Sequence, residues 1–186
     1  MLPWQTTDPK QLHEISTGIR KSVVTSLAEA RSGHLGGSLG LADIFTTIYF
    51  SVLTHDPQNP SWPGRDRLIL SIGHVAPVLY ATLAHSGYFP VEELDTLRKL
   101  GSRLQGHPGR DHGLPGLELS AGSLGQGLSV AVGMAIAAKI DELWVSLMKE
   151  YLHFSGNSVY KQARNSGHLI HLSDPDVIWE ALCSLN

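Results

Sequence analysis

Leu12, Ile15, Ile19, Val23, Leu27 and Ala30 follow one another at steps of three and four residues, which puts them on one face of an α-helix. Asp8 and Pro9 stand where an N-cap and a first helical residue belong. A glycine-rich turn at 32–37 separates this helix from the strongly apolar stretch 39–53, which predicts a second, buried helix. Prolines at 57, 60 and 63 fix φ and remove donors, so 56–64 is expected to be a loop. The short run Arg67-Leu68-Ile69-Leu70-Ser71 lies between turn signals and predicts a buried strand. Helices are expected over 75–86, ending at Gly87, and over 91–100, opening after Pro90. A glycine- and proline-rich loop over 101–119 follows.

From Leu124 to Ile140 small residues alternate with branched ones. This texture predicts a tightly packed, buried helix that starts at a glycine-rich turn. After Asp141 the texture changes, although Leu143, Trp144, Leu147, Met148, Tyr151 and Leu152 allow the helix to continue until Gly156-Asn157 ends it. Residues 168–172 are a candidate second strand, and Ser173-Asp174-Pro175 is an N-cap signal for a final short helix.

The composition is that of a soluble globular chain, with 42% hydrophobic and 17% charged residues among 186. A net charge of -3 without any Lys/Arg-dense stretch argues against nucleic acid or an anionic membrane as the main partner. No run is expected to reach membrane-spanning length, and Met1 to Trp4 lead into polar residues without a secretory pattern. Cys183 is the only cysteine, which excludes an intrachain disulfide and predicts a reducing, cytoplasmic setting.

Three Gly-His pairs, Gly33-His34, Gly73-His74 and Gly106-His107, fall in turns at or near the ends of predicted elements. His74 follows the predicted strand directly, where ligands gather at the carboxyl ends of open α/β sheets. An imidazole there can donate to a phosphate oxygen or exchange a proton near neutral pH. Taken singly, such a histidine is more often one satisfied by backbone groups in a loop. Gly122 to Gly127 (GSLGQG) form a turn that opens a helix, where free N–H groups favour an anion. The order of its glycines is not that of a dinucleotide fingerprint, and no Walker-type lysine and serine pair is present. His168 and His171 lack the further ligands of a zinc site, and no G-x-S-x-G elbow places a nucleophile.

Read together, Ser32 to Gly37 (SGHLGG), Arg65 to His74 (RDRLILSIGH), Gly106 to Pro108 (GHP) and Ala121 to Gly127 (AGSLGQG) resemble transketolase in order and spacing. His55-Asp56-Pro57 and Ala131 to Ala135 extend the likeness, which is greatest to the N-terminal subunit of split bacterial transketolases. The resemblance implies an α/β fold, a three-layer arrangement around a parallel sheet, and thiamine diphosphate held with magnesium between two domains. It also implies transfer of a two-carbon ketol unit from a ketose to an aldose phosphate. By the same resemblance His34, His74 and His107 are catalytic, with His34 and His107 toward the sugar and His74 toward the diphosphate and substrate. Gly122 and Leu124 would lie against the cofactor. Sugar phosphates, a transketolase C-terminal chain and a homodimer mate are the implied partners.

The resemblance covers 1–140, read as a partial diphosphate-binding domain, and leaves 141–186 as an unmatched tail. The family's Gly-Asp-Gly-Glu strand, whose aspartate binds magnesium with a later asparagine, has no counterpart, so no metal ligand is assigned. Without the neighbouring strands of the sheet, the chain is expected to be mostly helical, with one strand at 67–71 and the candidate at 168–172. Three functions stay open: a truncated transketolase portion inactive alone, half of a split enzyme completed by another chain, and a non-catalytic interaction module.

Overall fold

Asp8 caps the first helix, its Oδ1 accepting the Lys10 N–H at 3.0 Å, and Pro9 occupies the first turn of helix α1, Pro9–Ala30. At its far end Arg31 turns into the left-handed region (φ 49°) and donates its N–H to the Ala28 carbonyl. The computed structural model describes residues 5–151, and the expected strand at 168–172 and final helix lie outside them. Ile19, Val23 and Leu27 are buried, and Leu12, Ile15 and Ala30 pack at the edge of the same core, so the stripe read from the sequence is the buried face. Each fully buried large aliphatic side chain contributes about 1.5–3 kcal/mol.

Helix α2, Leu35–Thr47, continues into a π-helical turn, Ile48–Val52, closed by the Leu53 N–H on the Ile48 carbonyl at 2.8 Å. It starts four residues before the expected boundary at 39, taking in the glycines read as a turn. A glycine inside a helix is unfavourable by about 1 kcal/mol relative to alanine, but at Gly37 a Cβ would lie 2.8 Å from Val75 Cγ1. Close approach of α2 to the 73–75 segment therefore requires it. By length and composition Leu35–Val52 could cross a bilayer, contrary to the expectation that no run reaches that length. In this fold its Ala42, Phe45, Tyr49 and Phe50 belong to the buried core.

Helix α3, Ala76–His85, preceded by a 3₁₀ turn Gly73–Val75, is the centre of the fold, with every residue from Ala76 to Ala84 buried. Helices α1 and α2 pack against it and against each other. Tyr80, fully buried, donates its hydroxyl to the Gln105 carbonyl at 3.0 Å and so fastens the long loop to α3. His55, 1% exposed, stacks on Tyr88. Its Nε2 faces the Tyr49 carbonyl at 2.9 Å and must carry the proton, which leaves Nδ1 to accept the Tyr88 hydroxyl at 3.0 Å. Burial pushes the imidazole below its ordinary pKa. Arg65 and Glu118 form a sheltered ion pair at 2.7 Å that joins the end of the 56–64 loop to the end of the 101–119 loop.

Several expectations are corrected. Residues 67–71 form no strand among the described residues, although Leu70 enters the core: an apolar run becomes a strand only where another strand offers it a ladder. The expected helix over 91–100 is a 3₁₀ segment, Val91–Thr96. Arg98 adopts φ 61° and gives its N–H to Leu104 O at 2.7 Å, which breaks the helical path. Helix α4, Gln126–Tyr151, passes through residue 140 without interruption. Far from being buried, it exposes Leu128, Val132, Ile136, Ile140, Leu143 and Leu147 at helical spacing. The chain divides into two compact units at Ala131/Val132, and the described part of the second is this continuation of α4.

Candidate functional site

The three Gly-His turns come together. His34 is the N-cap residue of α2, without a side-chain cap bond, and His74 sits in the 3₁₀ turn before α3. Their ring centroids are 5.1 Å apart with the planes tilted by 59°. His107 approaches from the long loop: a Cβ built on Gly73 would lie 2.6 Å from His107 Cδ2 and 2.6 Å from the Ala121 carbonyl oxygen. Gly73 is therefore the point at which the His107 imidazole and the backbone at Ala121 meet the turn carrying His74, and any side chain there would wedge them apart.

The loop is held in place by its own backbone. The Ala121 N–H donates to Pro108 O at 3.0 Å and the Arg110 N–H to Ser120 Oγ at 3.0 Å, so the residues beyond His107 run beside those entering the glycine turn. His34 and His107 are exposed and His74 half-buried, while Gly122 and Leu124 face solvent. No atom lies within 4 Å of a Cβ built on Gly122, and Leu124 is 67% exposed. Of the residues singled out by sequence, His34, His74 and His107 thus form one open cluster, and Gly122 and Leu124 lie on the turn that begins beside it.

Ser71 is the residue that sequence reasoning missed. Its Oγ accepts the Gly127 N–H at 3.0 Å and its carbonyl accepts the Gly125 N–H at 3.3 Å. The hydroxyl caps α4 from a distant segment, as an N-cap side chain would. Gly127 must lack a side chain, because a Cβ there would be 2.8 Å from Ser71 Cβ. Two of the helix-start donors expected to serve an anion are consequently already occupied, which leaves that role to the earlier part of the turn, at Gly122 to Leu124. In one sequence Ser71 looks only like the polar end of an apolar run.

Among the described residues no group of three His, Cys, Asp or Glu side chains is arranged to hold a metal ion. A cavity of about 290 Å³ lined by Pro9, Leu12, His13, Ser16, Asp43, Thr46 and Thr47 shares no residue with the histidine cluster.

A family profile described as "Transketolase, thiamine diphosphate binding domain" matches residues 12–160. The 6-deoxy-6-sulfo-D-fructose transketolase subunit SqwG of Clostridium sp. (strain MSTE9) is 47% identical over 125 residues, 67% of this chain and 45% of that protein. An apulose-4-phosphate transketolase subunit of Phocaeicola vulgatus is 43% identical over 123 residues, 66% of this chain and 43% of that protein. Among solved structures, the transketolase of Campylobacter jejuni superposes with a TM-score of 0.66 at 41% identity, over 72% of this chain and 21% of that one. The matched part spans less than half the length of these proteins.

Proposed function

This chain belongs to the transketolase family through its thiamine diphosphate-binding domain, and on that premise we propose that it supplies the diphosphate side of a ketol-transfer site completed by a second polypeptide. The observation that carries this reading is that His34 lies beside His74 and His107 packs against Gly73, with the exposed Gly122 to Leu124 turn following Ala121 at the same point. Three neighbouring imidazoles, two of them exposed, suit a polyhydroxylated sugar phosphate, whose hydroxyls need both hydrogen-bond donors and acceptors.

Thiamine diphosphate, when bound, supplies a nucleophilic carbon and an electron sink for the two-carbon unit. The residues of this chain bind and orient. Gly122, with open space where a side chain would be, would let the backbone approach a diphosphate oxygen, and backbone N–H groups of the early turn would be the donors for it. Leu124 offers an apolar surface for a ring. His74 would donate to the diphosphate, and His34 and His107 would hold sugar hydroxyls by hydrogen bonds. The described residues offer no metal-ligating cluster, so no step is assigned to magnesium on this part of the chain.

Two observations support a partner. The similar proteins of Clostridium and Phocaeicola are named as subunits, and α4 exposes a continuous apolar face that in water would favour being covered. The test is calorimetric titration of the chain with thiamine diphosphate and magnesium, alone and with a transketolase C-terminal subunit. Saturable binding that appears or tightens with the second chain is the expected result. Absence of heat in both titrations, with helical structure confirmed by circular dichroism, would overturn the proposal.

A further inference from the structure

Arg98 is one of two non-glycine residues with positive φ among the described residues, at 61°. The left-handed region is unfavourable for a side chain with a Cβ, and a residue held there marks a place that its surroundings over-determine. Here the surroundings are local on one side: the Arg98 N–H donates to Leu104 O at 2.7 Å, and the Thr96 and Ser102 hydroxyls bond at 2.7 Å across the same loop. These bonds fix where the Arg98 side chain leaves the backbone.

What the side chain does is not local. Its Nη1 donates to the hydroxyl of Ser32, two residues before His34. The same guanidinium covers the backbone of Gly106, one residue before His107: a Cβ built on Gly106 would lie 2.7 Å from Arg98 Nε and 3.0 Å from Cζ. Gly33 is also within its reach, with 3.9 Å between Nη1 and a Cβ built there. Arg98 forms no ion pair among the described residues, whereas its neighbour Lys99 pairs with Glu29 at 2.8 Å. Charge neutralisation therefore does not account for its conformation. A flat, rigid fork bridging two turns does, and a lysine ammonium could not lie flat on one turn while bonding the other.

We propose that Arg98 is a positioning residue that holds the turns carrying His34 and His107 in one register, so that the two imidazoles present themselves together. The coupling of the two turns is a property of this chain alone; its effect on a sugar substrate rests on the ketol-transfer reading above.

The test is imidazole ¹H–¹⁵N correlation spectroscopy of the full chain, with wild type compared to Arg98→Lys and Arg98→Gly. Glycine accepts φ 61° without strain, so Arg98→Gly removes the guanidinium while leaving the loop its conformation, and circular dichroism confirms the fold. Both variants are expected to shift the His34 and His107 resonances and leave His13 and His85 in place. Ser32→Ala should shift the same pair, with little added by combining it with Arg98→Gly. Movement of neither resonance, or of only one, would overturn the proposal. In the complex with a C-terminal subunit, Arg98→Lys is expected to raise KM for the ketose roughly tenfold, which corresponds to about 1.4 kcal/mol of binding, with thiamine diphosphate affinity unchanged. Absence of cofactor binding in wild type would sink the ketol-transfer reading without touching the spectroscopic result.

Discussion

Ser71 and Gly127 are 56 residues apart, yet the hydroxyl of the first accepts the backbone N–H of the second at 3.0 Å. The bond ties the start of α4 to the segment that leads into His74, so the glycine turn and the histidine cluster are one mechanical unit. Removing the hydroxyl leaves a helix-start donor without its partner. Ser71→Ala should lower stability by about 1 kcal/mol, the usual value of an N-cap, read as a lower urea midpoint with an unchanged slope. It should also weaken thiamine diphosphate binding, and unchanged affinity would detach the turn from the cofactor.

Gly73 faces His107 and the Ala121 carbonyl at distances no Cβ tolerates. The obstacle at Ala121 is backbone, which cannot swing aside as a flexible side chain can. Gly73→Ala should therefore destabilise by about 1–3 kcal/mol, the range for overpacking, and displace the His107 imidazole resonance. A fully stable variant with an unmoved His107 signal would refute the close approach.

Glu118 meets Arg65 through Nε at 3.0 Å and Nη2 at 2.7 Å, with both side chains largely sheltered. Truncating the carboxylate strands a guanidinium in a place with little water. Glu118→Ala should cost about 3 kcal/mol, as breaking a buried pair does, whereas Glu118→Gln, which keeps one acceptor, should cost less. Equal midpoints in urea for the two variants would show that hydrogen bonding and charge contribute nothing separable.

His55 is buried in its neutral form, and burial lowers its pKa below the ordinary histidine value. The unfolded chain therefore takes up the proton first as pH falls. The stabilising effect of a neutral His55 is complete above about pH 6.5 and declines below it, until the folded-state pKa is passed. Urea midpoints recorded from pH 7.5 to 5 should fall, and the fall should be shallower in His55→Asn. Identical pH profiles would assign the effect elsewhere.

Helix α1 was fully legible because both its cap and its buried face are local. The proline-bounded loop over 56–64 and the core of α3 were legible for the same reason. The failures have a common physical origin. Leu68 and Leu70 are apolar whether or not a strand lies beside them, so 67–71 read as a strand where none is described. The end of the 91–96 segment depends on Leu104 accepting the Arg98 N–H, a loop bond that apolar periodicity and capping signals do not encode. Gly37 suggested a turn because its reason for being helical is Val75, a distant residue. The three histidines were recognisable as turn residues, and the family likeness assigned them to one site. Gly73 and Ser71, which bring the parts of that site together, acquire their meaning only in three dimensions.

Helix α3 has a consequence for how the site behaves in time. With Ala76 to Ala84 all buried, its amides have no local route to solvent, and in deuterated water they should exchange last, only when the whole domain opens. His74 lies immediately before this helix, whereas Leu124 lies on an exposed turn. The site therefore has a buried edge and a solvent-facing edge: a ligand held by both would slow exchange in the glycine turn and leave α3, already at the limit, unchanged.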